Sequence, residues 1–351
     1  MYCIYLKGGE PNYTFNSQEH IFPAGLGGIQ KLPEGYVSDQ CNNAFSALEL
    51  NFMRNSLIAL PRQFVGPGKR GKLSPKKATK SNVSLMSGRE GQTSLSFGYL
   101  SLGKPYNIPQ IIVNINGKYN FTSDRSFGEP SEQFINFINQ LKKFEDKYIL
   151  HEDESFYNDE FVLGYHEGKW HLGLSNVELA KKLMEFVHKM VDQTPEQKSE
   201  PGYGTFQATV HQSLQFDPDS YFRTCSKIIF NYLAYEKGQN FVLDSCFDPI
   251  RHWIVNGGEN HFATLLEQVN NKGILNAIPF PDEAHKLVII RSGNQLLGYI
   301  SFYGSHFETI VRLTTNFNNS LSFNETEGYI CDWKNRDEFR LITYLNSLNS
   351  D

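Results

Sequence analysis

The sequence predicts an α+β protein, in which a small N-terminal unit of two strands and a helix precedes a larger mixed α+β region with an antiparallel C-terminal meander. Residues 1–60 contain short extended segments followed by one amphipathic helix. From about residue 95 onward, strand-like and helix-like patterns alternate. Residues 285–313 contain three strand-like runs, with turn residues at 292–294 and 304–305.

The length and composition allow a sizeable core and more than one domain. The chain has 351 residues, of which 40% are hydrophobic and 14% aromatic, and this aromatic content argues against wholesale disorder. A stretch at 194–204 has the composition of a linker. We expect an N-terminal module at 1–60, a basic loop or linker at 61–90, an α+β recognition region at 91–193 and an α+β C-terminal region at 205–351.

The charge balance and the cysteines exclude several classes of protein. The formal net charge of −5 excludes a polycation, so binding to nucleic acid would need a local basic patch. The chain has no apolar run of 18 residues, and its N-terminus lacks a basic head followed by an apolar core, so we expect neither a membrane span nor a signal peptide. The five cysteines are scattered and odd in number, as in a reduced cytoplasmic protein.

The first 60 residues predict short strands, a loop and a helix, and the apolar stretch Y-C-I-Y-L at 2–6 is the first candidate strand. The segment Q-E-H-I-F-P at 18–23 is short and extended, and its proline stops the strand. The glycine-rich residues 24–35 predict a loop, and residues 36–37 can resume a strand. Ser38 or Asp39 can then cap a helix. Apolar residues of this helix recur at the spacing of one buried face: Phe45, Leu48 and Phe52.

Four short motifs follow one another within residues 3–42. They are C-I-Y-L at 3–6, E-H-I-F-P at 19–23, L-G-G at 26–28 and S-D-Q-C-N at 38–42. Their order and spacing resemble the HNH (ββα-metal) endonuclease family. The family pattern begins with a cysteine pair, followed by an acidic residue and a histidine. It continues with a glycine-containing loop and ends with a second cysteine pair followed by asparagine. The resemblance implies a small HNH module of the ββα-metal fold, and it covers only the N-terminal part of the chain.

The resemblance also implies an activity and a set of site residues. The protein would be a metal-dependent endonuclease that hydrolyses phosphodiester bonds of DNA, in a setting such as restriction or antiphage defence. His20 would be the general base, Glu19 a ligand of Mg²⁺ or Mn²⁺, and Asn42 a second ligand, with Asn43 as the alternative. These residue types suit the chemistry, because a hard cation prefers carboxylate and amide oxygens and stabilises charge on a phosphate. Adjacent strand residues point to opposite faces, so Glu19 and His20 share a site only if the backbone twists or bulges.

Two features depart from the family pattern. Leu6 and Ser38 stand where two of the four cysteines would be. Cys3 and Cys41 alone cannot complete a tetrahedral zinc site, so we expect no structural zinc and two buried cysteines that pack as small hydrophobic residues. Residues 29–37 offer no Asn or His to orient the base, and a backbone carbonyl could fix the imidazole instead.

A basic segment follows the predicted helix. Residues 50–89 contain no Asp or Glu, and Gly and Pro make the middle of this segment loop-like. We expect either a solvated linker or an arm that follows the phosphate backbone of DNA, with RNA left open as a partner. The candidate nucleic-acid-binding residues are Arg54, Arg62, Lys69, Arg70, Lys72, Lys76 and Lys77.

The rest of the chain offers weaker candidates. Arg251 could pair with an acid or contact a phosphate, while His166 and His171 are expected to have packing or surface roles. A separate hypothesis is that the N-terminal module has lost catalysis and serves as a scaffold that binds nucleic acid or assembles a complex. Under either hypothesis, the protein could also bind a protein partner or a second copy of the chain.

Overall fold

The structure of the protein is a computed structural model. The described residues are 1–67, 78–87, 95–114, 116–154, 156, 160–180, 185–187, 189, 209–211, 216–266, 279–304, 307–323 and 326–348.

The described elements confirm a mixed α+β protein. The helices with described bounds are α1 (Asp39–Arg54), α2 (Ala59–Val65), α3 (Pro130–Leu141), α4 (Pro218–Lys237), α5 (Gln239–Val242), α6 (Asp248–Asn256) and α7 (Leu341–Leu348). The strands are β1 (Tyr2–Cys3), β2 (Gly8–Gly9), β3 (Ser84–Ser87), β4 (Ser96–Ser101), β5 (Lys104–Asn107), β6 (Gln110–Asn114), β7 (Tyr119–Thr122), β8 (Tyr148–Glu152), β9 (Glu160–His166), β10 (Lys169–Leu174), β11 (Thr209–His211), β12 (Ala263–Leu265), β13 (His285–Ser292), β14 (Gln295–Phe302), β15 (Phe307–Thr314), β16 (Thr326–Asp332) and β17 (Asp337–Arg340). Within the described part of the chain, no helix is both long and apolar enough to cross a membrane.

The chain divides into two compact units. Unit 1 comprises Met1–Thr79 and Leu214–Asp351, and unit 2 comprises Lys80–Ser213. This division differs from the predicted boundaries at 60, 90 and 205. The reason is that apolar side chains of the N-terminal segment share one core with those of the C-terminal segment. Residues 1–60 are therefore part of a larger unit rather than a separate domain.

Unit 1 is built around a six-stranded antiparallel sheet. The strand order is β12-β15-β14-β13-β16-β17, and β13, β14 and β15 are the three strands of the predicted meander. Helix α4 packs closely on this sheet, because a side chain at Gly298 of β14 would overlap Ile229 of α4. Helix α4 is almost entirely buried along its middle, including the polar residues Lys227 and Asn231. Lys227 and Asn231 are both 0% exposed, so each needs a polar partner inside the core of unit 1.

The N-terminal segment of unit 1 forms a short hairpin. Residues 19–21 pair with residues 30–32 through the backbone bonds Ile21 N–H to Gln30 C=O (3.0 Å) and Leu32 N–H to Glu19 C=O (2.8 Å). The strand expected at 36–37 instead pairs with the very start of the chain, where the Ile4 N–H donates to the Tyr36 carbonyl at 2.8 Å. The second strand of the hairpin therefore begins earlier than predicted.

Helix α1 follows the hairpin and anchors it to the core. The Ser38 side chain caps the helix by accepting a hydrogen bond from the Cys41 N–H. Phe52 stacks on Tyr221 of α4 with ring centroids 5.6 Å apart, and it meets Phe302 of β14 edge-on at 5.5 Å. The predicted buried face of α1 is therefore packed against both α4 and the sheet.

Unit 2 contains two sheets and one long described helix. The five-stranded sheet has the order β7-β6-β9-β10-β8, in which β8 pairs with β10 in parallel and the other pairs are antiparallel. Helix α3 covers one face of this sheet, where Phe137 contacts Trp170 edge-on at 5.4 Å. The four-stranded sheet has the order β11-β3-β4-β5. Strand β8 is consequently an edge of the larger sheet.

Candidate functional site

His20 lies in the middle of the N-terminal hairpin, and its neighbours point into the core. His20 and Lys31 form the antiparallel bridge between the two strands. Glu19 and Ile21 are buried, whereas the His20 side chain is half-buried and Lys31 is exposed. The hairpin thus keeps the ordinary alternation of a strand, with Glu19 on the core side and His20 toward solvent.

The imidazole of His20 has the properties of a neutral base. Burial lowers its pKa from the usual 6.5, the charge of Lys31 lowers it further, and Glu49 acts in the opposite direction. The ring is therefore mostly neutral at pH 7. Within the part of the chain that the structure describes, no hydrogen bond to the ring nitrogens of His20 contributes to this pKa. A half-exposed, neutral imidazole of this kind can accept a proton from water.

Beneath the hairpin, Lys227 of α4 forms a buried ion-pair cluster with two carboxylates. Its ammonium contacts Glu19 of the hairpin and Glu49 of α1. The side chains of Lys227 and Glu19 are 0% and 5% exposed, and that of Glu49 is 17% exposed. Burial opposes the charge of Lys227, but the two carboxylates outweigh it and raise the pKa of the ammonium. The cation of this cluster is therefore a lysine side chain.

Asn231 of α4 links this cluster to the backbone of His20. Its Nδ2 donates to the His20 carbonyl at 2.9 Å and to a Glu19 carboxylate oxygen at 3.4 Å. The Tyr5 hydroxyl donates to Asn231 Oδ1 at 2.6 Å, which fixes the orientation of the amide. A residue far along the chain thus holds the strand of His20, whereas residues 29–37 contain no Asn or His that could do so.

Asn42, predicted as the second metal ligand, has a different partner. Its Nδ2 donates to Ser17 Oγ at 2.8 Å, and Ser17 Oγ in turn donates to the Asp39 carboxylate at 2.6 Å. Asn43, the alternative ligand, is exposed. The prediction that Glu19 and Asn42 share one cation is not met in this structure, because Glu19 is paired with Lys227 and Asn42 with Ser17.

A divalent cation does not fit the predicted ligand pair in this arrangement. The charge of Glu19 is already balanced by the Lys227 ammonium, and an incoming ion would have to displace that ammonium from a buried carboxylate. Over the described ranges of the chain, no group of three or more His, Cys, Asp or Glu side chains could hold a metal ion. Glu19 therefore belongs to an internal ion pair.

Cys3 and Cys41 lie side by side in the core, with their sulfur atoms 3.8 Å apart. The predicted burial of both residues is confirmed, and the half-buried Leu6 packs against the same core. A hydrogen bond from the Cys41 thiol lowers the pKa of Cys3 to about 5, although burial opposes this shift. Two sulfurs and the Ser38 hydroxyl would give a tetrahedral ion only three ligands, because Leu6 carries no donor.

The glycine-rich loop of the hairpin is fixed by contacts with the sheet. His285 Nε2 donates to the Leu26 carbonyl at 3.1 Å, and the Tyr303 N–H donates to His285 Nδ1 at 3.2 Å. Burial lowers the pKa of His285 to about 3, so this histidine is a neutral structural residue. A side chain at Gly28 would overlap the Phe22 carbonyl oxygen, which explains the glycine at this position.

The predicted basic segment is described only in part. Arg54 is exposed at the end of α1, as a phosphate contact requires. Arg62 is instead 8% exposed, and its Nε donates to the Gly25 carbonyl at 3.2 Å, so it supports the loop rather than a nucleic acid. The remaining candidates lie outside the described residues: Lys69, Arg70, Lys72, Lys76 and Lys77.

The weaker sequence candidates have structural partners. Arg251 is 3% exposed and contacts the Asp248 carboxylate and the Val242 carbonyl, which confirms the ion-pair alternative for this residue. His171 is buried in unit 2, and its Nδ1 lies 3.0 Å from His151 Nε2.

Comparison of the chain with protein-family models, curated proteins and solved structures found no match. The activity of this chain must therefore be inferred from its own residues.

Three residues of the site were missed from the sequence. The burial of Glu49 could have been predicted from the helical spacing, because Glu49 lies four residues after Phe45 and three before Phe52 on the buried face of α1. Lys227 and Asn231 also lie four residues apart in a helix, but 208 residues separate Lys227 from Glu19. No local pattern connects such distant positions, so only the folded chain brings them together.

Proposed function

We propose that the protein is an endonuclease that hydrolyses phosphodiester bonds of DNA, with His20 as the general base. The observation that supports this most directly is the half-buried, neutral imidazole of His20, held on a hairpin that precedes a helix. A base for this reaction must be unprotonated near pH 7 and within reach of water. The resemblance of residues 3–42 to the HNH family favours the same chemistry.

In this proposal His20 removes a proton from water as the water attacks phosphorus, and the bond from phosphorus to the leaving sugar oxygen breaks. Lys31 is exposed directly across the hairpin from His20, so its ammonium can bind the anionic phosphate. The same charge lowers the pKa of His20. Lys31 would thus both attract the substrate and keep the base unprotonated, and the exposed Arg54 is a second candidate for the phosphate backbone.

Mg²⁺ or Mn²⁺ is the proposed cofactor, and such an ion would stabilise charge on the phosphate and the leaving oxygen. Glu19 and Asn42 do not fit it in the described arrangement, so no residue is assigned to the ion. The resemblance and the composition carry the remaining proposals. The substrate is DNA, with RNA left open, and the setting is restriction or antiphage defence. The location is the cytoplasm, and the protein works with a protein partner or a second copy of the chain.

The experiment that tests this function is cleavage of plasmid, single-stranded DNA and RNA with Mg²⁺, with Mn²⁺ or with EDTA. We expect the wild type to cut plasmid with a divalent ion, and His20→Ala to be about 10²–10⁴ times slower. His252→Ala is a matched control, because His252 is an exposed histidine of the same unit on α6. Equal rates for wild type and His20→Ala would contradict the proposal.

The second candidate function is a scaffold that binds nucleic acid or assembles a complex without cleavage. One observation favours it: Lys227 already balances the carboxylate that the family resemblance assigns to the metal. If wild type and His20→Ala are both inert with every ion and substrate while both still bind DNA, this second function replaces the first.

A further inference from the structure

Unit 2 has an open pocket of about 400 Å³ between the end of α3 and the edge of its five-stranded sheet. Three aromatic residues form one row across adjacent strands there. Tyr148 of β8 is the Cα partner of Trp170 of β10, and Trp170 is the Cα partner of Tyr165 of β9. Residues in one such row share a face of the sheet, and all three line the pocket.

The central residue of the aromatic row is buried, and the two outer residues are partly exposed. Trp170 is 8% exposed, because Phe137 and Phe144 pack edge-on against it at 5.4 and 5.3 Å. The rings of Tyr165 and Trp170 are 4.8 Å apart. Tyr148 and Tyr165 are only half-buried, and Tyr148 lies on the edge strand. A flat ligand can therefore contact tyrosine rings that are already held in place.

The rim of the pocket is basic. Lys143, Lys147 and Lys169 line it, and all three are exposed. Glu145 is the acidic residue of the lining, and its carboxylate accepts from Lys147 Nζ at 3.1 Å. Three lysines and one glutamate leave the lining with a charge of +2, in a chain whose net charge is −5. The charge of the lining therefore favours an anionic ligand.

We propose that this pocket binds a nucleotide, with the base against Tyr148 and Tyr165 and the phosphate on the lysines. Its volume is within the usual range for small-ligand sites. Aromatic rings beside a basic rim are the combination that proteins use for unpaired bases. The nucleotide is either free or part of a single-stranded nucleic acid. The proposal does not depend on nuclease activity.

The test is fluorescence anisotropy on the full chain in EDTA and low salt, with two labelled probes. One probe is a single-stranded oligonucleotide of about 12 nucleotides, and the other is AMP. We expect Tyr148→Ala to weaken binding about tenfold, and Tyr148→Phe to bind like the wild type because it keeps the ring. Lys169→Glu should weaken binding, whereas Lys118→Glu should not, because Lys118 is exposed on the β6–β7 turn outside the pocket.

Each outcome decides a part of the proposal. Binding of both probes identifies a nucleic-acid strand as the source, and binding of AMP alone identifies a free nucleotide. The proposal is wrong if neither probe binds, if Tyr148→Ala binds as tightly as the wild type, or if poly-glutamate competes as well as the oligonucleotide. His20→Ala should bind both probes normally, so loss of binding and loss of cleavage are separate results.

Discussion

Replacing Lys227 with methionine should destabilise unit 1 by about 3–5 kcal/mol. Methionine keeps the unbranched apolar stem but removes the cation that contacts Glu19 and Glu49. Glu19 is 5% exposed, so water cannot take over the role of the ammonium. The cost is that of leaving buried negative charge uncompensated, which is far larger than the value of a surface ion pair.

The assay is urea unfolding followed by tryptophan fluorescence, since Trp253 and Trp333 are buried in unit 1. Lys334→Met in the same unit is the matched control. Its side chain is 42% exposed beside Glu283, so the same substitution should cost less than about 1 kcal/mol.

A second set of variants separates the cost of uncompensated buried charge from the cost of lost packing around Lys227. Adding Glu19→Gln and Glu49→Gln to Lys227→Met removes the uncompensated carboxylates, and this triple variant should recover part of the lost stability. The reasoning would be refuted if Lys227→Met unfolded at the same urea concentration as the wild type, or if the triple variant were less stable than Lys227→Met alone.

Three further predictions concern pH and the loop. Burial lowers the pKa of His285 to about 3, so between pH 6.5 and pH 3 the unfolded chain binds a proton that the folded chain does not. Unit 1 should therefore lose stability as the pH falls through that range. In urea unfolding, the stability of His285→Gln should depend less on pH than that of the wild type. Gly28→Ala should cost about 1–3 kcal/mol, because its Cβ would overlap the Phe22 carbonyl oxygen, and an unchanged melting temperature would contradict this. If His20 is the base, kcat/KM should rise with pH through an ionisation whose pKa is below 6.5 and then level off. Lys31→Gln should raise the pKa of that ionisation, because the charge of Lys31 lowers the pKa of His20. An unchanged pH profile would count against the role of Lys31.

Local patterns predicted much of the architecture. The spacing of Phe45 and Phe52 predicted the buried face of α1, and turn residues at 292–294 separated β13 from β14 as the structure has them. These features depend on residues that are close in the sequence, where the periods of helices and strands are visible. The extended segment at 18–23 was also expected, but its partner is residues 30–32, which were predicted to be loop, rather than residues 36–37.

The surroundings of the candidate base could not be predicted in the same way. Glu19 was expected to meet a metal ion, but its partner is Lys227, which lies 208 residues away on α4. A buried lysine in a helix looks like any other lysine in the sequence, because burial is decided by the elements that pack around it. Arg62 shows the same limit, since a basic residue in a basic segment proved to support the loop at Gly25.

The most direct test of the central claim is the rate of plasmid cleavage by His20→Ala with and without added imidazole. If the His20 side chain is the base, the variant should be nearly inactive in Mg²⁺ or Mn²⁺, and free imidazole should restore part of the wild-type rate. Cleavage by His20→Ala at the wild-type rate without imidazole would contradict the claim.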